Sequence, residues 1–146
     1  MTKRKFFTVL AISLISLGLI PSAQGIVFNF YAKSARPSVI NSEKEEGAAD
    51  LAHFTYEPLP KGNITKIVYE FAQYRGVSEE NQFNTICYKY NFGFNERCVD
   101  FNNTTAGVSH AFSGLPNNGS FTFKHKVENE KLPVGPMSSD YVEVYW

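Results

Sequence analysis

Ser109 and His110 are the residues whose types could most directly support catalysis, because a serine hydroxyl beside an imidazole is the pairing used in acyl transfer. They lie in the stretch GVSHAFSGLP, residues 107–116. Neighbouring residues of a strand point to opposite faces, so these two side chains are expected to diverge. The serine is not part of a G-x-S-x-G elbow. We therefore predict that His110 bonds a backbone carbonyl and that the protein is not an enzyme.

Other groupings that could do chemistry are weak. His53, His110 and His125 form neither an H-x-H nor an H-E-x-x-H pattern, so the sequence gives no local support for a metal site. The acidic pairs at residues 45–46 and 79–80 lie in polar segments, where charged residues are usually solvated. We predict no catalytic residues, no metal and no cofactor.

Aromatic residues are the remaining candidates for binding. Tyr88, Tyr90, Phe92 and Phe94 cluster where a hairpin is expected. On a sandwich, an exposed aromatic row could bind sugar or an extended peptide. We favour the other interpretation, in which alternate members fill the core and the rest cover its edge. This cluster supports the alternative function of a secreted carbohydrate-binding or adhesin-like module.

The amino-terminal residues indicate export. Three cations at residues 3–5 precede the uncharged apolar run of residues 6–20, and the small residues Ala23 and Gly25 follow. The run is shorter than the roughly 20 residues that a spanning helix needs. The order is typical of a secretory signal peptide. We predict a signal peptide at residues 1–25, cleaved before Ile26, and one domain at residues 26–146.

Charge and cysteine content narrow the class of protein. The formal net charge is 0, and removal of the cationic leader leaves a slightly acidic domain, which argues against nucleic acid or anionic lipid as the main partner. Cys87 and Cys98 form an even pair in an exported chain, which predicts one disulfide. Closing so short a loop should stabilise the fold by about 2–3 kcal/mol.

Period-two alternation predicts antiparallel strands along most of the domain. It is clearest in IVFNFYA, ITKIVYEFAQY, NTICYKY, SFTFKHKV and YVEVYW. The alternation predicts that Phe121, Phe123, His125 and Val127 share one face. These short strands favour an all-β antiparallel β-sandwich, with a small β-barrel as the competing architecture.

The connections carry weaker signals. The cysteines are expected to border a hairpin whose tip contains Gly93. Asn118-Gly119 predicts a type I′ turn. Pro133, Gly135 and Pro136 argue against a regular strand in that segment. Residues 33–50 are interpreted as a long polar connection with a turn of helix.

The segment from Cys87 to the carboxyl terminus also resembles a known family. The matching elements are Cys87, Arg97-Cys98-Val99 with the following Asp100, and the stretch at residues 107–116; Phe123, Val127, Leu132-Pro133, Val142 and Val144 continue the pattern. In this order and spacing the segment resembles FlhE, a family of small periplasmic proteins linked to bacterial flagella. The resemblance covers about half of residues 26–146.

The resemblance implies a periplasmic β-sandwich without enzymatic activity, although release outside the cell stays open. FlhE-like proteins are associated with the flagellar export apparatus and are thought to affect assembly, swarming and proton leakage through the export gate. A protein partner in the export apparatus or basal body is therefore expected. Cys87 and Cys98 transfer as a structural disulfide. Gly107, Ser109, His110, Phe112 and Pro116 transfer as motif positions without an assigned role.

Overall fold

The computed structural model describes residues 29–52, 61–91 and 93–146. Within them the chain forms eight strands, in which buried and exposed side chains largely alternate. The strands are β1 (Phe30–Ala35), β2 (Gly47–Ala52), β3 (Lys66–Glu70), β4 (Gln82–Tyr90), β5 (Asn95–Asp100), β6 (Ala106–Ser109), β7 (Ser120–Val127) and β8 (Asp140–Tyr145). One turn of 3₁₀ helix at Glu79–Asn81 precedes β4. No helix among the described residues is long and apolar enough for a membrane span. The predicted leader lies outside the described residues.

The strands form two four-stranded antiparallel sheets. Sheet I has the order β1-β8-β3-β6, and sheet II has the order β2-β7-β4-β5. Each sheet therefore ends in two edge strands, and the described strands do not close into a ring. The β-sandwich prediction is confirmed, and the small-barrel alternative is wrong for the described residues.

The core lies between the sheets and is rich in aromatic rings. Phe71 packs against Phe123 with ring centroids 5.3 Å apart, and Tyr88 packs against Phe121 at 4.3 Å. The inward face predicted for β7 is confirmed, because its four residues are almost fully buried. Val142 and Val144 of β8 are also fully buried, as the terminal alternation predicts. Such ring pairs stabilise the core beyond the area that they bury.

Two predictions near the amino terminus need correction. The alternation in IVFNFYA predicts one face for Ile26, Phe28 and Phe30, but Phe30 is 56% exposed and Tyr31 is the buried residue of β1. Ile26 and Phe28 lie outside the described residues. Residues 33–50 are not one polar connection, because β1 continues to Ala35 and β2 begins at Gly47. Pairing with β7 buries Ala49 and Leu51. The alternation in β2 (GAADLA) is weak because most of its residues are small.

The turn predictions have mixed outcomes. The hairpin between β4 and β5 is confirmed, with positive φ at Asn91 and Gly93. The type I′ prediction at Asn118-Gly119 is wrong, because β6 and β7 lie in different sheets and neither turn residue has positive φ. Gly119 is needed for space: a Cβ there would lie 2.1 Å from the Lys89 carbonyl oxygen. The proline-rich segment contains no regular strand, as predicted.

Candidate functional site

The stretch at residues 107–116 forms a packing corner at one end of the sandwich. Phe112 is fully buried, with its ring edge-on to Phe121 at 5.4 Å. The Leu115 carbonyl accepts a hydrogen bond from the Ile64 N–H at 2.8 Å. A Cβ on Gly107 would lie 2.9 Å from the Tyr69 hydroxyl. These contacts give most of the motif a direct role in packing.

Ser109 and His110 do not form a nucleophile–base pair. The Ser109 hydroxyl accepts a hydrogen bond from the Ala111 N–H at 3.1 Å. His110 Nδ1 lies 2.9 Å from the Thr65 carbonyl oxygen, so this nitrogen is the donor. The prediction that His110 bonds a backbone carbonyl is confirmed. Both side chains stabilise the corner that follows β6 through hydrogen bonds to main-chain groups.

The hairpin aromatics do not form the exposed row that sugar binding requires. Tyr88, one of the predicted binding aromatics, is fully buried; its hydroxyl donates to the Pro116 carbonyl and accepts from the Gly119 N–H. Tyr90 stacks on Tyr88 and is half-buried. Phe94 is 88% exposed, and Phe92 lies outside the described residues. Tyr88 is therefore corrected from a binding residue to a core residue that holds Pro116.

The two cysteines join the arms of the hairpin. Cys87 and Cys98 are directly opposite in the β4–β5 register and form a disulfide. Cys87 is buried, and Cys98 is exposed. Glu96 lies close enough to complete a metal-ligand set, but the sulfur atoms are bonded to each other. The disulfide prediction is confirmed.

Replacement of both cysteines by alanine should lower the free energy of unfolding by about 2–3 kcal/mol, because the unfolded chain then loses its short covalent loop. Urea unfolding of the oxidised protein and of the double variant measures this difference. Addition of dithiothreitol should destabilise the natural protein and leave the variant unchanged. Equal stability of the oxidised natural protein and the double variant would contradict the prediction.

A polar cluster that sequence reasoning missed is buried between the sheets. His125 and Asp140 are fully buried, and His125 Nε2 lies 2.9 Å from an Asp140 carboxylate oxygen. His125 Nδ1 lies 2.8 Å from the Asn84 side-chain oxygen. The Ala72 N–H donates to the other Asp140 oxygen at 2.8 Å. Gln82, the remaining member, donates to Asn84 and to the Ala72 carbonyl.

The hydrogen bonds of this cluster define its orientation. The Asn84 oxygen accepts a hydrogen bond from Gln82, and the Asn84 nitrogen donates one to the Thr104 carbonyl. A flipped amide would place two donors against each other at Gln82 and two acceptors against each other at Thr104. An acceptor therefore faces each nitrogen of His125, and the ring satisfies both when it carries two protons and pairs with the Asp140 carboxylate. Every polar group is used internally, which indicates a structural element joining β4, β7 and β8.

The outer face of sheet I carries a second group of aromatic residues. Tyr141 and Tyr145 each donate a hydroxyl hydrogen bond to one oxygen of Glu143. These bonds lower the pKa of the Glu143 carboxyl and raise the pKa of both phenols. Phe30 stacks on the Tyr145 ring, and the Lys66 ammonium lies 4.7 Å from its centroid. Because Phe30 and Lys66 already contact the Tyr145 ring, this group is a poor platform for a sugar.

Buried phenols predict a loss of stability in alkali. Burial raises the pKa of Tyr88 to about 12, against about 10 in an unfolded chain. The folded state therefore holds this proton more tightly, so its contribution is complete below about pH 10 and is lost as the pH rises toward 12. Urea unfolding across this pH range should show the decline.

Tyr88→Phe should make that decline shallower, since the variant has no phenol to ionise at this position. The same variant measured near pH 7 serves as the control for the two lost hydrogen bonds. An alkaline slope equal to that of the natural protein would contradict the assignment to Tyr88.

The fold and its contacts define a class: a two-sheet β-sandwich with a disulfide-bonded hairpin and a buried polar cluster. No protein-family model and no curated protein matches the sequence. A crystal structure of FlhE is similar to this chain, with a TM-score of 0.63 and 16% sequence identity. The similarity covers 82% of this chain and 96% of the FlhE chain. The chain therefore has a FlhE-like fold, in agreement with the sequence resemblance.

Proposed function

We propose that this chain is a non-enzymatic periplasmic accessory protein of the bacterial flagellum. It acts by binding protein partners of the export apparatus or basal body, and it modulates flagellar export or proton leakage through the export gate. The observation that carries the proposal is the structural similarity to FlhE, which extends over 96% of that chain. The matching motif at residues 107–116 supports it.

Two independent features support the proposed periplasmic location. The leader at residues 1–25 has the order of a secretory signal peptide. The Cys87–Cys98 disulfide fits an oxidising compartment outside the cytoplasm. Mature residues 26–146 then meet their partner on the periplasmic side.

A binding role fits the use of the polar side chains better than a catalytic role. Ser109 and His110 fasten a corner, and His125 and Asp140 bond each other deep in the core. These groups have structural partners, whereas a catalytic serine or histidine must reach a substrate. The sandwich is therefore proposed as a rigid scaffold that presents a surface to a partner.

The test is deletion of the gene followed by complementation. Deletion should alter motility, swarming or flagellar protein secretion, and the full-length gene should restore them. A matched gene lacking residues 1–25 should fail to restore them, because its product stays in the cytoplasm. Unchanged motility, swarming and secretion after deletion would overturn the flagellar proposal.

A crosslinked pull-down with residues 26–146 as bait addresses the partner. Recovery of export-apparatus or basal-body components from the periplasmic fraction would support the proposal. Saturable glycan binding without any flagellar component would instead favour the carbohydrate-binding alternative.

A further inference from the structure

A groove on the surface of the sandwich is built by three segments that are distant in sequence, residues 36–39, Arg75 and residues 133–136. Its volume is about 650 Å³. We call it the arginine groove; its lining residues are Arg36, Pro37, Ser38, Val39, Arg75, Pro133, Gly135 and Pro136. One wall follows β1, and the opposite wall is the proline-rich segment before β8.

The groove has rigid walls. Ile40 and Val134 exchange two backbone hydrogen bonds of 3.0 Å, which join the two walls at one end. The Arg36 guanidinium donates to the Pro136 carbonyl at 2.6 Å. The buried Tyr74 hydroxyl donates to the Ser38 carbonyl at 2.8 Å. A preformed groove of this kind loses little entropy when it binds a ligand.

Positive charge in the groove is not neutralised within the described residues. Neither Arg36 nor Arg75 forms an ion pair there, and the Arg75 side chain has no hydrogen-bond partner among them. A guanidinium group presents a planar set of donors that matches a carboxylate. The groove therefore complements a ligand with negative charge.

Two residues that line the groove also have main-chain donors without a partner. Among the described residues, the N–H groups of Val39 and Gly135 have no hydrogen-bond partner, although Ser38 and Ile40 beside Val39 both donate. Val39 also leaves 48% of its surface exposed. Main-chain donors and an apolar side chain suit an extended peptide, whose carbonyls need donors at intervals. A free inorganic anion would use the arginines and leave these groups unused.

We propose that the arginine groove binds an extended acidic segment of a protein partner. Arg36 and Arg75 receive the carboxylates of that segment, and the Val39 and Gly135 N–H groups receive its backbone carbonyls. This assignment rests on the proposed partner-binding function and names the surface that performs it.

The test uses purified, oxidised residues 26–146 and fluorescein-labelled decapeptide pools. One pool has glutamate fixed at two central alternate positions, and the matched pool has glutamine there. Fluorescence anisotropy should show saturable binding of the glutamate pool and at least about tenfold weaker binding of the glutamine pool. Arg75→Gln should weaken glutamate-pool binding about tenfold without altering urea unfolding, since its side chain has no hydrogen bond or ion pair to lose among the described residues.

Arg97→Gln is the control variant, because Arg97 is exposed and donates one hydrogen bond to a backbone carbonyl, as Arg36 does. It should bind the glutamate pool like the natural protein. Equal binding of both pools, undiminished binding by Arg75→Gln, or no binding would overturn the proposal. Inorganic phosphate or anionic vesicles binding in place of the peptides would also overturn it. Peptide binding with unchanged motility after gene deletion would reject the flagellar role and retain the groove.

Discussion

His125→Ala is expected to lower the free energy of unfolding by about 3–5 kcal/mol, because it deletes a buried ring and leaves buried polar groups without a hydrogen-bond partner. The variant leaves the fully buried Asp140 carboxylate without its imidazole partner. It also leaves the Asn84 oxygen with one donor fewer and opens space beside Phe71 and Tyr74, whose rings pack on the imidazole. Urea unfolding near pH 7 measures the change.

His110→Ala provides a matched control, because His110 is exposed and makes one hydrogen bond. Its cost should be below about 1 kcal/mol. Asp140→Asn tests whether the hydrogen bonds of the pair carry its stabilising effect. The asparagine oxygen can still accept from the Ala72 N–H, and the asparagine amide can donate to a neutral imidazole. This variant should therefore lower the free energy of unfolding less than His125→Ala does. A similar small cost for His110→Ala and His125→Ala would contradict a central role for the buried pair.

Much of the sandwich could be predicted because strand alternation is a local property of the sequence. The alternation in β7 assigned His125 to the buried face, and the same alternation in β8 places Asp140 in phase with Val142 and Val144. The sequence therefore predicted the face of His125, whereas Asp140 joins the inward face of β8 only because that strand begins one residue before the run YVEVYW. The contact between the two residues was not predicted, because it depends on how sheet I is placed over sheet II.

The features that sequence reasoning missed depend on long-range contacts. β2 has small residues whose alternation becomes clear only when β7 pairs with it. The arginine groove joins Arg36 to Pro136, residues separated by 100 positions. The sequence left Tyr88 as either a binding or a core residue, and only the packing of Phe112 and Phe121 against it decides for the core. Alternation in the sequence predicts which residues share a face of a strand, whereas contacts between distant segments decide which residues form a cluster or a groove.

Phe112→Ala should also lower the free energy of unfolding by about 3–5 kcal/mol, the typical range for deletion of a buried phenylalanine ring. The ring is fully buried and contacts Tyr88 and Phe121 edge-on, with centroid distances of 6.2 and 5.4 Å. Its removal leaves a cavity where the corner at residues 107–116 meets sheet II. Urea unfolding and thermal melting should both show the loss.

Phe94→Ala is the matched control, because Phe94 is 88% exposed and deletion of its ring should change stability by no more than about 0.5 kcal/mol. The pair separates two roles for the corner at residues 107–116, the stretch that resembles FlhE in sequence. A large loss of stability in Phe112→Ala would mean that these residues serve the folding of the sandwich. A stable Phe112→Ala protein that no longer recovers flagellar partners would instead make the corner part of the binding surface. Partner recovery by each variant should therefore be measured at a temperature where both are folded.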